Sequence, residues 1–203
     1  MDLPVNLRLA GRRCVVIGGG AVALRKAGAL AKAGAALTVV APSIAARMPG
    51  RLVRRRFRPG DVARALLVVC ATDDEALNRR VAAECDRRGI IVNVVDRPTL
   101  CSVTFPATLR RGALTIAVST SGLSPAIAKA VRTELASLYP PSMAKLVRVV
   151  GAARSKRPAG RARMRFFSKA VTPRMLADAR AGRFGAVQRV LARSGPPQGG
   201  ESK

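Results

Sequence analysis

Six residues behind a short apolar run could do chemistry with backbone alone. Gly18-Gly19-Gly20-Ala21-Val22-Ala23 has the spacing G-x-G-x-x-A. In that spacing the first glycine permits a tight turn and the second lets the backbone approach a pyrophosphate. A small third residue, here Ala23, lets the following helix pack closely on its strand. The N–H groups at the start of that helix would face the phosphates. A purely structural glycine turn is the alternative. The acidic residue that grips a ribose in many such sites lies about 20 residues further on. Val40, Ala41, Pro42 and Ser43 occupy that stretch. The ribose contact then falls to Pro42, Ser43 or backbone groups, or the site is not used in the ordinary way. Arg47 is close enough in sequence to keep a phosphorylated ribose in consideration.

A second candidate is the carboxylate of Asp96, which closes the run "IIVNVVD" (90–96). A carboxylate there can act as a general base, or it can simply close the turn before Arg97-Pro98. Thr72 and Asp73 follow the apolar stretch "LLVVCA" (66–71), and Asn93 and Val94 lead to Asp96, so all four are candidate cofactor contacts. Asp73 could equally cap the helix that follows. A third group is the hydroxyl-rich loop Ser119-Thr120-Ser121-Gly122, with Ser124 ahead of Pro125. It can cap a helix or hold a carboxylate there with help from the helix dipole.

These residues need a scaffold, and the pattern supplies one. "CVVI" (14–17) reads as a buried strand, 21–33 as a helix stopped by Gly34, and "ALTVV" (36–40) as the next strand. The sequence repeats the alternation with a strand at 65–72, a helix at 73–89 ended by Gly89, and a strand at 90–96. Alternating strands and helices predict an α/β fold, a Rossmann-like, doubly wound parallel sheet whose ligands sit at the carboxyl ends of the strands. After Pro98, residues 103–122 read as two strands around Arg110-Arg111-Gly112, and a helix runs from Ser124-Pro125 to about Leu138. Pro140-Pro141 breaks the chain. Residues from 142 onward are weakly helical, interrupted near 155–163, and "SGPPQGGESK" (194–203) reads as a disordered tail.

Composition narrows the chemistry. The 203 residues carry 37 Lys and Arg against 11 Asp and Glu, a net charge of +26, and no histidine. That charge draws polyanions such as nucleic acid, acidic lipid or a small polycarboxylate, or it is a solvated basic surface. Only 3% of residues are aromatic and there is no Trp, so a stacking platform for single strands is not expected. The four cysteines are far apart and lack histidine partners, so no zinc set forms. Cys14 and Cys70 read as buried thiols of a reducing compartment. Without a signal-like apolar region or a membrane-length apolar run, a cytoplasmic protein is expected.

With these residues placed, the chain resembles the precorrin-2 dehydrogenase/sirohydrochlorin ferrochelatase family, the type found in the N-terminal region of sirohaem synthase. The resemblance covers about residues 3–145. It rests on "LPVNLRLAGRRCVVIGGGAVALRK", "ATDDEALN", "VNVVDRP", "FPA" and "STSGLSPAIAK", in that order. It implies an NAD-binding domain (1–102), a dimerisation segment exchanged between subunits (103–141) and a small helical C-terminal domain (142–193). It implies that NAD+ takes a hydride equivalent from precorrin-2 to give sirohydrochlorin, and that some members then insert Fe2+. Asp96 matches the family's catalytic aspartate, able to take a proton in dehydrogenation or to meet a metal transiently, with no permanent metal. Thr120 takes a position that can be serine in other members. A polycarboxylate substrate gives the basic charge a specific purpose, since Arg binds carboxylates bidentately. A homodimer with no nucleic-acid or membrane partner is implied. The rivals are a dehydrogenase without the iron step and, from another class, a non-catalytic nucleotide-sensing or nucleic-acid-binding module.

Overall fold

The computed structural model describes residues 2–192, so the expected disordered tail lies outside the described residues. The chain forms two compact units, with the break between Phe105 and Pro106. In the first, β1 (Arg13–Ile17), β2 (Ala36–Val40), β3 (Arg51–Val53), β4 (Leu67–Cys70) and β5 (Ile91–Val94) make one sheet in the order β3-β2-β1-β4-β5. Every pairing is parallel. Helix α1 (Ala21–Lys32) joins β1 to β2, and α2 (Glu75–Arg87) joins β4 to β5.

The two faces of the sheet follow from alternation within each strand. In β1, Cys14 and Val16 join Ala23, Ala27 and Leu30 of α1 in one core, while Val15 and Ile17 join Val81, Ala82 and Cys85 of α2 in the other. Both faces are covered, which is why the strands read as unbroken apolar runs rather than as alternating ones. The expected Rossmann-like doubly wound sheet is what forms. The elements are shorter than their apolar runs, because Ala65 closes the turn at Ala63-Arg64 with its N–H on the Val62 carbonyl, and Val95-Asp96 form a turn just past β5. The sequence reading has no counterpart of β3. It is a three-residue edge strand with Arg51 and Leu52 exposed, so it carries almost no buried pattern.

The second unit opens with an antiparallel hairpin, β6 (Ala107–Arg111) and β7 (Leu114–Val118), followed by α3 (Pro125–Leu138). The turn falls at Gly112-Ala113, one residue later than Arg110-Arg111-Gly112. Gly112 takes φ +60° there, a left-handed conformation that glycine adopts without penalty. Four further helices follow: α4 (Met143–Ser155), α5 (Arg161–Ala170), α6 (Pro173–Arg180) and α7 (Phe184–Ala192). Met143, Leu146, Phe167, Met175, Ala179, Val187 and Leu191 form their small core. The break after Ser155 lies where the helical pattern is interrupted in the sequence.

Candidate active site

Register places the candidate residues of the first unit along one edge. Ile17 is level with Val40 and with Cys70, and Cys70 with Val94. The segments after these four residues therefore leave the sheet side by side: the glycine loop, Ala41-Pro42-Ser43, Ala71-Thr72-Asp73 and Val95-Asp96. The strand order changes direction at β1, the switch point at which such sheets bind ligands.

Within the loop the three glycines stand in different surroundings. Gly18 has φ +124°, and a Cβ there would lie 2.1 Å from the Ala71 carbonyl oxygen. At Gly19 a Cβ would lie 1.9 Å from the Ser43 carbonyl oxygen, and the Gly19 carbonyl accepts the Ala45 N–H at 2.8 Å. Both keep neighbouring segments close. Gly20 differs, because nothing lies within 4 Å of its missing Cβ, and it begins α1 as an N-cap without a side-chain bond. Gly20, Ala21 and Val22 are exposed and no acid stands in the first turn, while Ala23 is fully buried against the sheet. An open helix start with unsatisfied N–H groups and room above Gly20 fits a dinucleotide pyrophosphate. Pro42 and Ser43 are exposed beside it.

The other candidates divide between exposed groups and groups that hold the edge in place. Asp96 is exposed and lies two residues beyond β5, in a turn with φ +57° rather than on the strand itself. Aspartate is among the few residues that adopt this left-handed conformation readily. Asp73 is exposed, and Asp74, not Asp73, caps α2 by accepting the Leu77 N–H at 2.9 Å. That leaves Asp73 without the capping role. The Thr72 hydroxyl donates to Asn78 Oδ1 at 2.7 Å, and Asn78 Nδ2 returns a bond to the Thr72 carbonyl at 3.1 Å. The Cys70 thiol donates to the same Oδ1 at 3.1 Å. Asn78 thus ties the end of β4 to α2 while only 3% exposed. It is absent from the residues singled out in the sequence. Its signal there is a polar residue on the apolar face of α2, between Leu77 and Val81.

Asn93 is buried, and its Nδ2 donates to the Val103 carbonyl at 3.0 Å, pinning the segment that follows β5. Val94 is buried too. Its N–H donates to the Cys101 Sγ at 3.1 Å, and its carbonyl accepts the Arg97 N–H. Neither side chain is open to solvent, so both support the edge from beneath.

Lys26 is a second group absent from the residues singled out in the sequence. It sits on α1, half-buried, with its ammonium 4.2 Å from the centroid of the Phe105 ring. Burial and the neighbouring Arg25 lower its pKa, and Asp96 and Cys101 act in the opposite sense. A cation therefore stands within electrostatic reach of Asp96. In the sequence it is half of an Arg25-Lys26 pair, which reads as an ordinary solvated helix face. By contrast, Cys70 and Cys85 are pushed by burial to about 12 and about 11, which keeps them protonated.

In the second unit, Ser124 caps α3 by accepting the Ile127 N–H at 3.3 Å. The Thr120 hydroxyl accepts the Ser124 N–H at 3.1 Å, and the Ser119 hydroxyl accepts the Ser121 N–H at 3.2 Å. Ser121 has φ +50° and is exposed, as is Ser119. The capping role of Ser124 is realised, and the loop is held by its own hydroxyls. Among the described residues no helix is long and apolar enough to cross a membrane, and no three His, Cys, Asp or Glu side chains group as metal ligands.

Residues 5–107 match the family described as putative NAD(P)-binding, which is half of the chain. The chain belongs to this family. Residues 111–138 match the family described as sirohaem biosynthesis protein central, so the resemblance read from the sequence holds across both segments. The chain is similar to the sirohaem synthase of Pseudomonas paraeruginosa, with 46% identity over 151 residues, 71% of this chain and 32% of that protein. It is also similar to the sirohaem synthase of Thioalkalivibrio sulfidiphilus, with 42% identity over 160 residues, 75% of this chain and 33% of that protein. The chain thus spans about a third of the length of the curated relatives it matches. Among solved structures, SirC, a precorrin-2 dehydrogenase, superposes with a TM-score of 0.76 at 25% identity, over 93% of this chain and 100% of that one.

Proposed function

We propose that this chain dehydrogenates precorrin-2 to sirohydrochlorin with NAD+ as acceptor, and that Asp96 is its proton-accepting residue. The observation that carries the reading is the single edge shared by the open start of α1 and the exposed carboxylate of Asp96. Its likeness to SirC over that protein's full length supports the substrate. The bound nicotinamide supplies the hydride acceptor. Gly18, Gly19, Gly20, Ala21, Val22 and Ala23 form the turn and helix start that hold the pyrophosphate. Pro42 and Ser43 meet the adenosine ribose, and neither brings the cation that a 2′-phosphate would need. Asp73 borders the cofactor. Thr72, Asn93 and Val94 fix the positions of the groups that do.

Loss of two hydrogens from the substrate leaves one proton to be removed with the hydride, and Asp96 accepts it. Lys26 balances the carboxylate charge from α1. Ser119, Thr120, Ser121 and Ser124 form the loop proposed for a substrate carboxylate, supported by the exposure of Ser119 and Ser121 at the start of α3. We read the chain as a homodimer, with 103–141 as the exchanging segment and 142–193 as a helical domain. Support comes from Ile127, Val131 and Leu138, which leave an apolar stripe of α3 exposed, with Leu123 exposed just ahead of the helix.

The test is anaerobic. Precorrin-2 and NAD+ are mixed with the protein, NADH and sirohydrochlorin are followed by absorbance, and Fe2+ is then added. Equal yields of NADH and sirohydrochlorin are expected. Iron uptake faster than the protein-free rate would add the chelatase step, and the absence of NADH with folded protein would reject the dehydrogenase.

A further inference from the structure

The opposite edge of the same sheet holds a second concentration of chemistry. Three neighbouring strands start there, since Cys14 is level with Leu67 and Leu67 with Ile91. Each start delivers arginine: Arg12 ahead of β1 and Arg13 as its first residue, Arg64 ahead of β4 and Arg88 ahead of β5. Together they line an open cavity of about 430 Å³ whose floor includes Leu66 and Ile90 and whose walls contain no acidic side chain.

Ordinary structural duties account for only part of this charge. Arg88 is ion-paired with Glu84, which also holds Arg87, and these cations suit the carboxyl end of α2. Arg13 donates to the Asp61 carbonyl at 3.0 Å, a bond that leaves its charge uncompensated. The side chains of Arg12 and Arg64 have no hydrogen-bond or ion-pair partner among the described residues. Arg64 also holds φ +59°, a conformation costing a non-glycine residue about 1 kcal/mol or more. Converging guanidinium groups without counter-charge repel one another, and a bound anion removes that penalty.

We propose that this amino-edge cavity binds a short chain of phosphate groups. Guanidinium forks match phosphate oxygens bidentately. The lining offers a base neither an aromatic face nor a side-chain amide, so the phosphates alone are recognised. The site is separate from the dinucleotide site, because the two lie at opposite ends of the strands. It stands independently of the proposed dehydrogenase reaction. Binding to the folded state raises its stability by mass action.

Inorganic tripolyphosphate is titrated into the full chain by calorimetry at about 0.15 M salt, where long-range attraction is screened beyond about 8 Å. One saturable site is expected, unaffected by saturating NAD+. Arg12→Gln/Arg64→Gln should weaken it at least about tenfold, the effect of losing one charged hydrogen bond or more. The charge-matched pair Arg80→Gln/Arg165→Gln should leave it unchanged. Arg64→Lys keeps the charge without the fork, so it should bind more weakly than the parent, and it serves if the double variant fails to fold by circular dichroism. ATP should bind no more tightly than tripolyphosphate. No saturable binding, equal losses in both double variants, competition by NAD+, or a clear preference for ATP would each overturn the proposal.

Discussion

The two edges of this one sheet are built in opposite ways. At the carboxyl edge the strands run into glycine, alanine and proline, and the ligand groups on offer are backbone N–H donors with the exposed carboxylates of Asp73 and Asp96. At the amino edge three of these strands, β1, β4 and β5, begin from arginines, and the groups on offer are side-chain cations. The first arrangement is rigid and needs small residues for steric reasons. The second is a matter of charge, and its side chains can be exchanged with little effect on the backbone. Substitutions at the two edges should therefore fail in different ways.

The largest effect belongs to Asp96. Removing a positioned base costs about 10²–10⁴ in rate, so Asp96→Ala should lose turnover on that scale while the NAD+ dissociation constant stays near the parent value. Alanine is less comfortable than aspartate at φ +57°. Asp96→Asn tolerates the turn and removes only the base, and it should lose turnover equally. Normal turnover in the asparagine variant would take Asp96 out of the mechanism and leave the carboxyl edge with dinucleotide binding alone.

The two edges also differ in how much of them could be read beforehand. The glycine loop and the alternation around it are visible because each glycine and each apolar run answers a local demand, and Ser124 is visible as a cap for the same reason. Asn78 and Lys26 are not, since their roles depend on how other elements pack: Asn78 on the end of β4 folding back onto α2, Lys26 on Phe105 and Asp96, far away in sequence. The capping role open to Asp73 as an alternative falls to Asp74 because adjacent aspartates offer the same side chain, and backbone geometry decides which of them starts α2. The arginines of the amino edge read as general basic surface. Only the register of β1, β4 and β5 gathers them.

A medium-sized effect separates the glycines themselves. Gly19→Ala forces a methyl against the Ser43 carbonyl, and the backbone must move. Overpacking of this kind costs about 1–3 kcal/mol, which a thermal melt would register as a clear fall in Tm. Gly20→Ala meets nothing in the protein, with φ −84° in ordinary territory, so its melt should match the parent. Its added methyl occupies the approach to the helix start, and it should weaken NAD+ binding. Equal Tm losses in the two variants would mean that Gly20 is as enclosed as Gly19, and the room for a pyrophosphate would be gone.

The smallest effect is confined to acid and to the amino edge. Hydrogen bonds from Arg87 and then Arg88 lower the Glu84 carboxyl from its ordinary 4.5 to about 2. A carboxylate depressed in the folded state contributes stability that is fully present above its unfolded pKa and is lost as pH falls through its folded pKa. The window therefore runs from about 4.5 down to about 2. Glu84→Gln cannot titrate, so its stability should fall less steeply than the parent's across that window in denaturant melts taken at each pH. Some slope should survive in the variant. Burial of Asp61 opposes ionisation, but the two bonds from Arg55 and the Arg58 N–H outweigh it, and its pKa is lowered as well. NAD+ affinity near neutral pH should be the same with and without Glu84, because that carboxylate serves the arginines where the strands begin and the dinucleotide site lies where they end. A loss of NAD+ affinity in Glu84→Gln would show that the two edges are coupled through the strands.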